Sequence, residues 1–233
     1  MSKKKIKIDV VSDINCPWCY IGEQRLKSAM AAAGSNYDFE VYFKPFELNP
    51  NIPQEGQSKE EYFTNSYGPA ILSQLGDMNK RMTETGRAEG IEFNFDKATS
   101  LSNTFNGHRL IWLADQYGVQ EKVVNALFVS NFTEGDNVND IALLKETGIA
   151  NGIPAEKLEG FFESEEGKKE VREMEAWAQQ AGIKGVPAFI FNEKYLVSGA
   201  QPAATFLEVF PQAAPAFEEI KAEGGSCDIN GNC

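Results

Sequence analysis

The stretch Cys16-Pro17-Trp18-Cys19-Tyr20-Ile21 directly follows a short apolar run, Ile6-Lys7-Ile8-Asp9-Val10-Val11. The β-branched residues of that run predict a buried strand, and the residues from Pro17 onward predict a helix that ends near Gly34. Two cysteines separated by two residues at a strand-to-helix junction are typical of thiol–disulfide exchange.

The start of this helix assigns different roles to the two cysteines. Cys16 is expected at the N-cap, and Pro17 at the first helical position, where a missing N–H costs nothing. The unpaired N–H groups and partial positive charge of the first turn would stabilise a thiolate on Cys16. Cys19 lies one turn further in and should be more shielded. We therefore expect Cys16 to attack and Cys19 to resolve the mixed disulfide, while Trp18 offers an apolar contact surface.

Metal binding and inert packing are also compatible with this cysteine spacing. The pair could be half of a zinc site, and all four cysteines, Cys16, Cys19, Cys227 and Cys233, could form one tetrathiolate site. The dipeptide Pro17-Trp18 disfavours this, because the turn of a zinc knuckle usually contains a small residue. The pair could also be buried and inert. We expect redox chemistry that requires no metal and no organic cofactor.

Composition and charge exclude several classes of partner. The chain has 233 residues and a net charge of −12, which argues against nucleic acid and against an anionic membrane surface. No segment reaches the ~18 apolar residues that a membrane span needs. The start, Met1-Ser2-Lys3-Lys4-Lys5, leads into a strand-like run with two charges rather than into a signal peptide. We expect a cytoplasmic protein, where cysteines are more often catalytic, redox-sensing or metal-binding than structural.

The order of predicted elements indicates an α/β sheet domain interrupted by helices. A strand, a helix and a second strand (37–47) come first, and strands at 186–191 and 195–198 with a final helix (202–209) come last. We expect residues 1–54 and 183–221 to form this discontinuous domain. Residues 55–182 should form an all-helical insertion between the second and third strands. Residues 222–233 should form a flexible tail that carries the last two cysteines.

Local signals divide the insertion into helices. Ser58-Lys59-Glu60-Glu61 is a capping box that should open a helical region reaching about Gly86, interrupted at Gly68-Pro69. Residues 87–101 are expected to form a loop anchored by apolar side chains. Further helices are predicted at 102–117, 120–132, 139–150, 155–162 and 165–181.

This pattern resembles the DsbA-like branch of the thioredoxin superfamily, in which a helical domain is inserted into a thioredoxin fold. Besides the cysteine motif, Gly185-Val186-Pro187-Ala188-Phe189 is similar to the loop that carries the family's cis-proline. The resemblance implies that the Val186–Pro187 bond is cis and faces the cysteines. The backbone of Val186 would then pair with an extended substrate chain, and Pro17, Trp18, Val186 and Pro187 would bind substrate.

Two further stretches resemble the FrnE-type cytosolic subgroup of this family, Asn103-Thr104-Phe105-Asn106-Gly107-His108-Arg109-Leu110 and Gly199-Ala200-Gln201-Pro202. The resemblance implies a dithiol–disulfide oxidoreductase that acts on protein or small thiol substrates, with glutathione as a candidate redox partner. Related glutathione-dependent isomerases carry serine at the first motif position, so Cys16 favours an oxidoreductase. A glutathione-dependent isomerase or transferase for a small aromatic molecule, and a zinc-binding or chaperone module, remain the alternatives.

The last two cysteines enclose a turn signal, in Cys227-Asp228-Ile229-Asn230-Gly231-Asn232-Cys233. Since Asn230-Gly231 favours a tight turn, the two thiols could meet. One hypothesis is a second redox pair on a mobile arm that exchanges with Cys16 and Cys19. The alternatives are a local disulfide staple and a tail without a role.

Three other side chains are weaker candidates. His108, the only histidine, could bind substrate or act as an acid–base partner near Cys16, or it could simply be a packed or solvated helix position. Asp9 or Asp13 could accept the proton of Cys19 if it is buried nearby. The alternative for Asp13 is a turn or capping residue.

Overall fold

The computed structural model describes residues 3–214, which form one four-stranded sheet, helices on both of its faces and a long insertion. In chain order the elements are β1 (Lys4–Ser12), α1 (Pro17–Ala33), β2 (Tyr37–Pro45), β3 (Gln57–Ser58), α2 (Lys59–Tyr67), α3 (Ile71–Ala88), β4 (Ser100–Leu101), α4 (Phe105–Gln116), α5 (Gln120–Val129), α6 (Ile141–Ala150), α7 (Ala155–Leu158), α8 (Lys168–Gln180), β5 (Ala188–Phe191), β6 (Tyr195–Ser198) and α9 (Ala203–Ala213). A 3-10 turn (Gly34–Asn36) follows α1, and a π-helical turn (Ser130–Glu134) follows α5.

The four strands of the main sheet lie in the order β2-β1-β5-β6. The strand β1 is parallel to β2 and antiparallel to β5, so Ile8 lies opposite Val41 on one side and Phe191 on the other. As one of the two central strands it is buried from Ile8 to Ser12, as its β-branched sequence predicts. The cysteine motif follows the carboxyl end of β1 and therefore begins at the middle of the sheet.

The two faces of the sheet are covered by different helices. On one face Ile8 and Val10 pack in a core that includes Ile21 of α1 and Phe206 of α9. On the other face Val11 packs with residues at and after α8. Successive residues of β1 point to opposite faces, so its apolar residues serve both cores.

The insertion between β2 and β5 is predominantly helical. It also contains a short antiparallel ladder, in which Gln57 of β3 lies opposite Leu101 of β4. The prediction of an all-helical insertion missed this ladder, because strands of two residues give no alternating pattern. Over residues 3–214, no helix is both long enough and apolar enough to cross a bilayer.

Several helix ends lie where the sequence signals place them. The hydroxyl of Ser58 accepts a hydrogen bond from the backbone N–H of Glu61 (3.4 Å), so it caps α2. Gly68 and Pro69 separate α2 from α3, as predicted. The last helix continues past Pro211, beyond its predicted end at 209, because Phe206, Phe210 and Ala213 keep one face buried.

Arg109 organises the segment after α7 from the buried side of α4. Its guanidinium is fully buried and donates hydrogen bonds to four backbone carbonyls at 2.7 to 3.1 Å, those of Phe161, Phe162, Ser164 and Glu166. The helix α7 ends at Leu158 and not near residue 162, where the sequence predicts its end, because Glu159 is extended (φ −67°, ψ 119°) and Gly160 has a positive φ of 68°.

Candidate active site

The cysteine motif begins where β1 gives way to α1. Cys16 is the N-cap residue, in an extended conformation (φ −96°, ψ 109°), and Pro17 is the first residue of the helix. The backbone N–H of Cys16 donates to the carbonyl of Asp13, and that of Cys19 donates to the carbonyl of Cys16, both at 3.0 Å. The tight turn thus places both sulfurs at the first turn of α1, the position where a helix favours negative charge.

Both cysteines are free thiols and both are largely buried, Cys16 with 5% and Cys19 with 2% of its surface exposed. Burial raises the pKa of the Cys19 thiol well above its ordinary value, and the neighbouring Cys16 raises it further. Hydrogen bonds from Ser12 and from the backbone of Asp13 act in the opposite direction but are weaker. In the reduced protein Cys19 therefore holds its proton, which suits a thiol that reacts second.

The loop before β5 meets the first cysteine. The Val186–Pro187 peptide bond is cis. The sulfur of Cys16 lies 3.7 Å from the carbonyl oxygen of Val186, to which the thiol donates. Gly22 of α1 permits this approach, since a Cβ atom there would lie 3.1 Å from the Pro187 ring and 3.0 Å from the ring of Phe189.

Two large apolar side chains are exposed at this end of the sheet. Trp18 within the motif is 44% exposed, and Leu48 is 42% exposed. The backbone N–H of Leu48 donates to the carboxylate of Asp13 (2.7 Å), so Leu48 is tied to the residues just before the motif. Sequence reasoning missed Leu48, because a single leucine after a broken strand carries no periodic signal.

Asp13 is fully buried and acts as a turn residue. One carboxylate oxygen accepts from Leu48, and the other accepts from the backbone N–H of Asn15 (3.3 Å). His108 is also buried, with its Nε2 atom 3.5 Å from Asp13 and 3.2 Å from the carbonyl oxygen of Phe46. The structure thus brings His108 to Asp13, whose backbone carbonyl accepts from the N–H of Cys16.

Asp9 points away from the cysteines. It borders a cavity of about 620 Å³ on the α8 face of the sheet, together with Ile183 and Ile190. Its carboxylate lies 3.3 Å from the amine of Lys7 and 3.6 Å from that of Lys44. As a strand neighbour of Val10, which packs on the α1 side, Asp9 is on the wrong face to take a proton from Cys19.

Cys227 and Cys233 lie outside the described residues. Within residues 3–214, no group of three or more His, Cys, Asp or Glu side chains is arranged to hold a metal ion.

Comparison with known proteins agrees with this fold. A family model described as a DSBA-like thioredoxin domain matches residues 7–210. The chain is 32% identical to a probable DsbA oxidoreductase from Streptomyces coelicolor, over 97% of each chain and with a TM-score of 0.83. It also shares its fold with two more distant structures. One is the cytosolic disulfide reductase DsbM from Pseudomonas aeruginosa with GSH (16% identity, 88% of this chain and 99% of the other, TM-score 0.62). The other is a 2-hydroxychromene-2-carboxylate isomerase (15% identity, 88% of this chain and 95% of the other, TM-score 0.63).

Proposed function

Because this chain belongs to the family of DSBA-like thioredoxin domains, and is at that level a thiol–disulfide oxidoreductase, we propose that Cys16 and Cys19 are its reactive pair. One observation carries the proposal. Cys16 is the N-cap of α1, and its sulfur lies 3.7 Å from the carbonyl of Val186, which precedes the cis-proline, while the next residue but one, Trp18, is exposed. The thioredoxin fold itself does not decide the activity, since an isomerase shares it.

The reaction proceeds through two exchanges. The thiolate of Cys16 attacks one sulfur of a substrate disulfide, and the other substrate sulfur leaves as a thiolate and takes up a proton. Cys19 then gives up its proton and attacks the sulfur of Cys16. The Cys16–Cys19 disulfide forms and the second substrate thiol is released, so that two electrons have passed to the substrate. Run in reverse, the same steps oxidise a pair of substrate thiols.

The surface at Cys16 favours an extended, partly apolar substrate chain. Trp18 and Leu48 offer apolar contact, and Val186 offers backbone groups to a chain that lies along the loop. Glutathione is the candidate small-thiol partner. The cytoplasm is the compartment we propose, and membership of the FrnE-type subgroup is part of the same proposal.

The second cysteine pair is proposed as a relay. The amide of Asn192 donates to the carbonyl of Ala213 at the end of α9, and Asn192 also bonds to Lys7 near the start of β1. From Lys7, the five residues that lead to the end of β1 at Ser12 span roughly 17 Å. Twelve residues lie between Ala214 and Cys227, and the chain from one to the other reaches about 45 Å when extended. Cys227 therefore has enough chain to meet Cys16.

Serine variants of the two motif cysteines test the proposal as a matched pair. In a background that also carries Cys227→Ser and Cys233→Ser, Cys19→Ser should accumulate a stable mixed disulfide with oxidised glutathione or with a model disulfide peptide, because no thiol remains to resolve it. Cys16→Ser in the same background should form none. Mass spectrometry of the intact protein after acid trapping measures both. Adduct formation on Cys19 in Cys16→Ser at the rate seen in Cys19→Ser would contradict the assignment of roles.

The relay is tested by the turnover of a disulfide substrate in the double variant Cys227→Ser/Cys233→Ser. Turnover equal to that of the wild type would refute the relay.

A further inference from the structure

The three residues between β1 and the motif, Asp13-Ile14-Asn15, are bonded to the insertion; we call them the motif loop. The side-chain amide of Asn131 donates to the carbonyl of Ile14 (2.9 Å). The side-chain amide of Asn15 donates to the carbonyl of Ser102 (2.7 Å). All of these groups are buried, so water does not replace either bond if it is lost.

Two contacts from α4 support the same loop. His108 faces the carboxylate of Asp13 at 3.5 Å. Gly107 packs so closely that a Cβ atom there would lie 2.5 Å from the Cδ1 atom of Ile14. The motif loop is thus held by groups from residues 102, 107, 108 and 131, which belong to different parts of the insertion.

The other side of the motif loop is connected to both cysteines. The carbonyl of Asp13 accepts from the backbone N–H of Cys16 at 3.0 Å. The carbonyl of Cys16 in turn accepts from the backbone N–H of Cys19 at 3.0 Å. A displacement of the loop therefore changes the surroundings of both sulfurs, although no residue of the insertion has to touch them.

We propose that Asn131 is a positioning residue for the redox pair, which acts by fixing Ile14 and through it the Asp13 backbone against Cys16 and Cys19. The proposal rests on the proposed function and adds to it that the insertion sets the balance between the dithiol and the disulfide. Without the Asn131 bond the motif loop relaxes, the bond from the N–H of Cys16 to the carbonyl of Asp13 weakens, and the sulfur of Cys16 is held less firmly at the start of α1. Since that position favours the negative charge of a thiolate, and only the reduced protein has one, the loss shifts the equilibrium toward the disulfide.

The test is the equilibrium constant of the Cys16–Cys19 pair with reduced and oxidised glutathione, in the full-length protein. Asn131→Ala should shift it about fivefold toward the disulfide, the effect of one net hydrogen bond. Asn131→Gln, which keeps an amide donor, should recover part of the shift. Asn125→Ala is the matched control, because Asn125 lies on α5 and accepts a hydrogen bond from Gln24 of α1, away from the motif loop. The equilibrium constant of this variant should equal that of the wild type.

Thermal unfolding confirms that each variant is folded before it is titrated. A folded Asn131→Ala variant with an equilibrium constant within twofold of the wild type overturns the proposal, and so does an equal shift in Asn125→Ala. If Asn131→Ala does not fold, Asn15→Ala removes the second bond of the motif loop to the insertion and is judged by the same two outcomes. A wild-type pair that forms no disulfide at any glutathione ratio overturns the proposed function itself, which is a different result.

Discussion

Replacing Glu23 with glutamine should stabilise the folded protein at pH 8 but have little effect near pH 4.5. Glu23 lies on α1 and is 2% exposed. One of its carboxylate oxygens lies 2.8 Å from the amine of Lys27, which is shared with Glu121 at 3.3 Å. Burial raises the pKa of Glu23 from 4.5 to about 7, because the loss of hydration outweighs the attraction of Lys27.

The magnitude follows from this shift. Between pH 4.5 and about 7 the folded protein keeps a proton on Glu23 that the unfolded chain has released, so stability falls as the pH rises through this window. The full shift corresponds to about 3 kcal/mol, reached above pH 7. Glutamine carries no charge at any pH, so Glu23→Gln escapes this loss. Lys27 loses a partner in the variant and offsets part of the gain, which leaves about 1 to 3 kcal/mol at pH 8.

Urea unfolding followed by circular dichroism at pH 5 and pH 8 measures the effect, read as the difference between variant and wild type at each pH. Glu121→Gln is the matched control, since Glu121 contacts the same lysine from a half-exposed position and should give a nearly pH-independent difference. A Glu23→Gln variant whose stability differs from the wild type by the same amount at both pH values would refute the reasoning. So would a variant that is less stable than the wild type at pH 8.

Two further predictions concern the core and the second thiol. Arg109→Lys should lower the free energy of unfolding, measured in urea, by about 2 to 4 kcal/mol, because one ammonium cannot donate to four buried carbonyls. The control Arg81→Lys, on the exposed side of α3, should leave that free energy almost unchanged. Equal losses in the two variants would contradict the role of Arg109. In the reduced protein, iodoacetamide at pH 7 should modify Cys16 well before Cys19, since burial raises the pKa of Cys19. Peptide mass spectrometry follows both cysteines, and equal rates would show that Cys19 is neither shielded nor protonated.

The sequence predicted the geometry of the cysteine motif because its determinants are local. A β-branched strand, an N-cap cysteine and a proline at the first helical position lie within a dozen residues, and the structure has each of them in place. The α/β domain with its insertion followed from the order of strands and helices. The resemblance to the DsbA-like branch implied the thioredoxin fold, and the family match and the Streptomyces coelicolor structure confirm it.

The contacts that support this motif are long-range, and the sequence did not predict them. Asn131 reaches Ile14 across more than a hundred positions, and Leu48 reaches Asp13 across thirty-five. Arg109 is one of many charged residues in a helical pattern, and only the fold shows that it binds four carbonyls. Sequence signals report helix faces and turns, whereas such side-chain bonds depend on which elements meet in space.

The central claim is that Cys16 and Cys19 form a reversible dithiol–disulfide pair, and its most direct test is a redox titration of the four cysteines. The full-length protein is equilibrated in glutathione buffers of graded ratio, its thiols are trapped, and each cysteine pair is followed by peptide mass. We expect reversible interconversion of Cys16 and Cys19 between dithiol and disulfide, with a midpoint that gives the favoured direction of exchange. A Cys16–Cys19 pair that remains a dithiol at every ratio would contradict this claim.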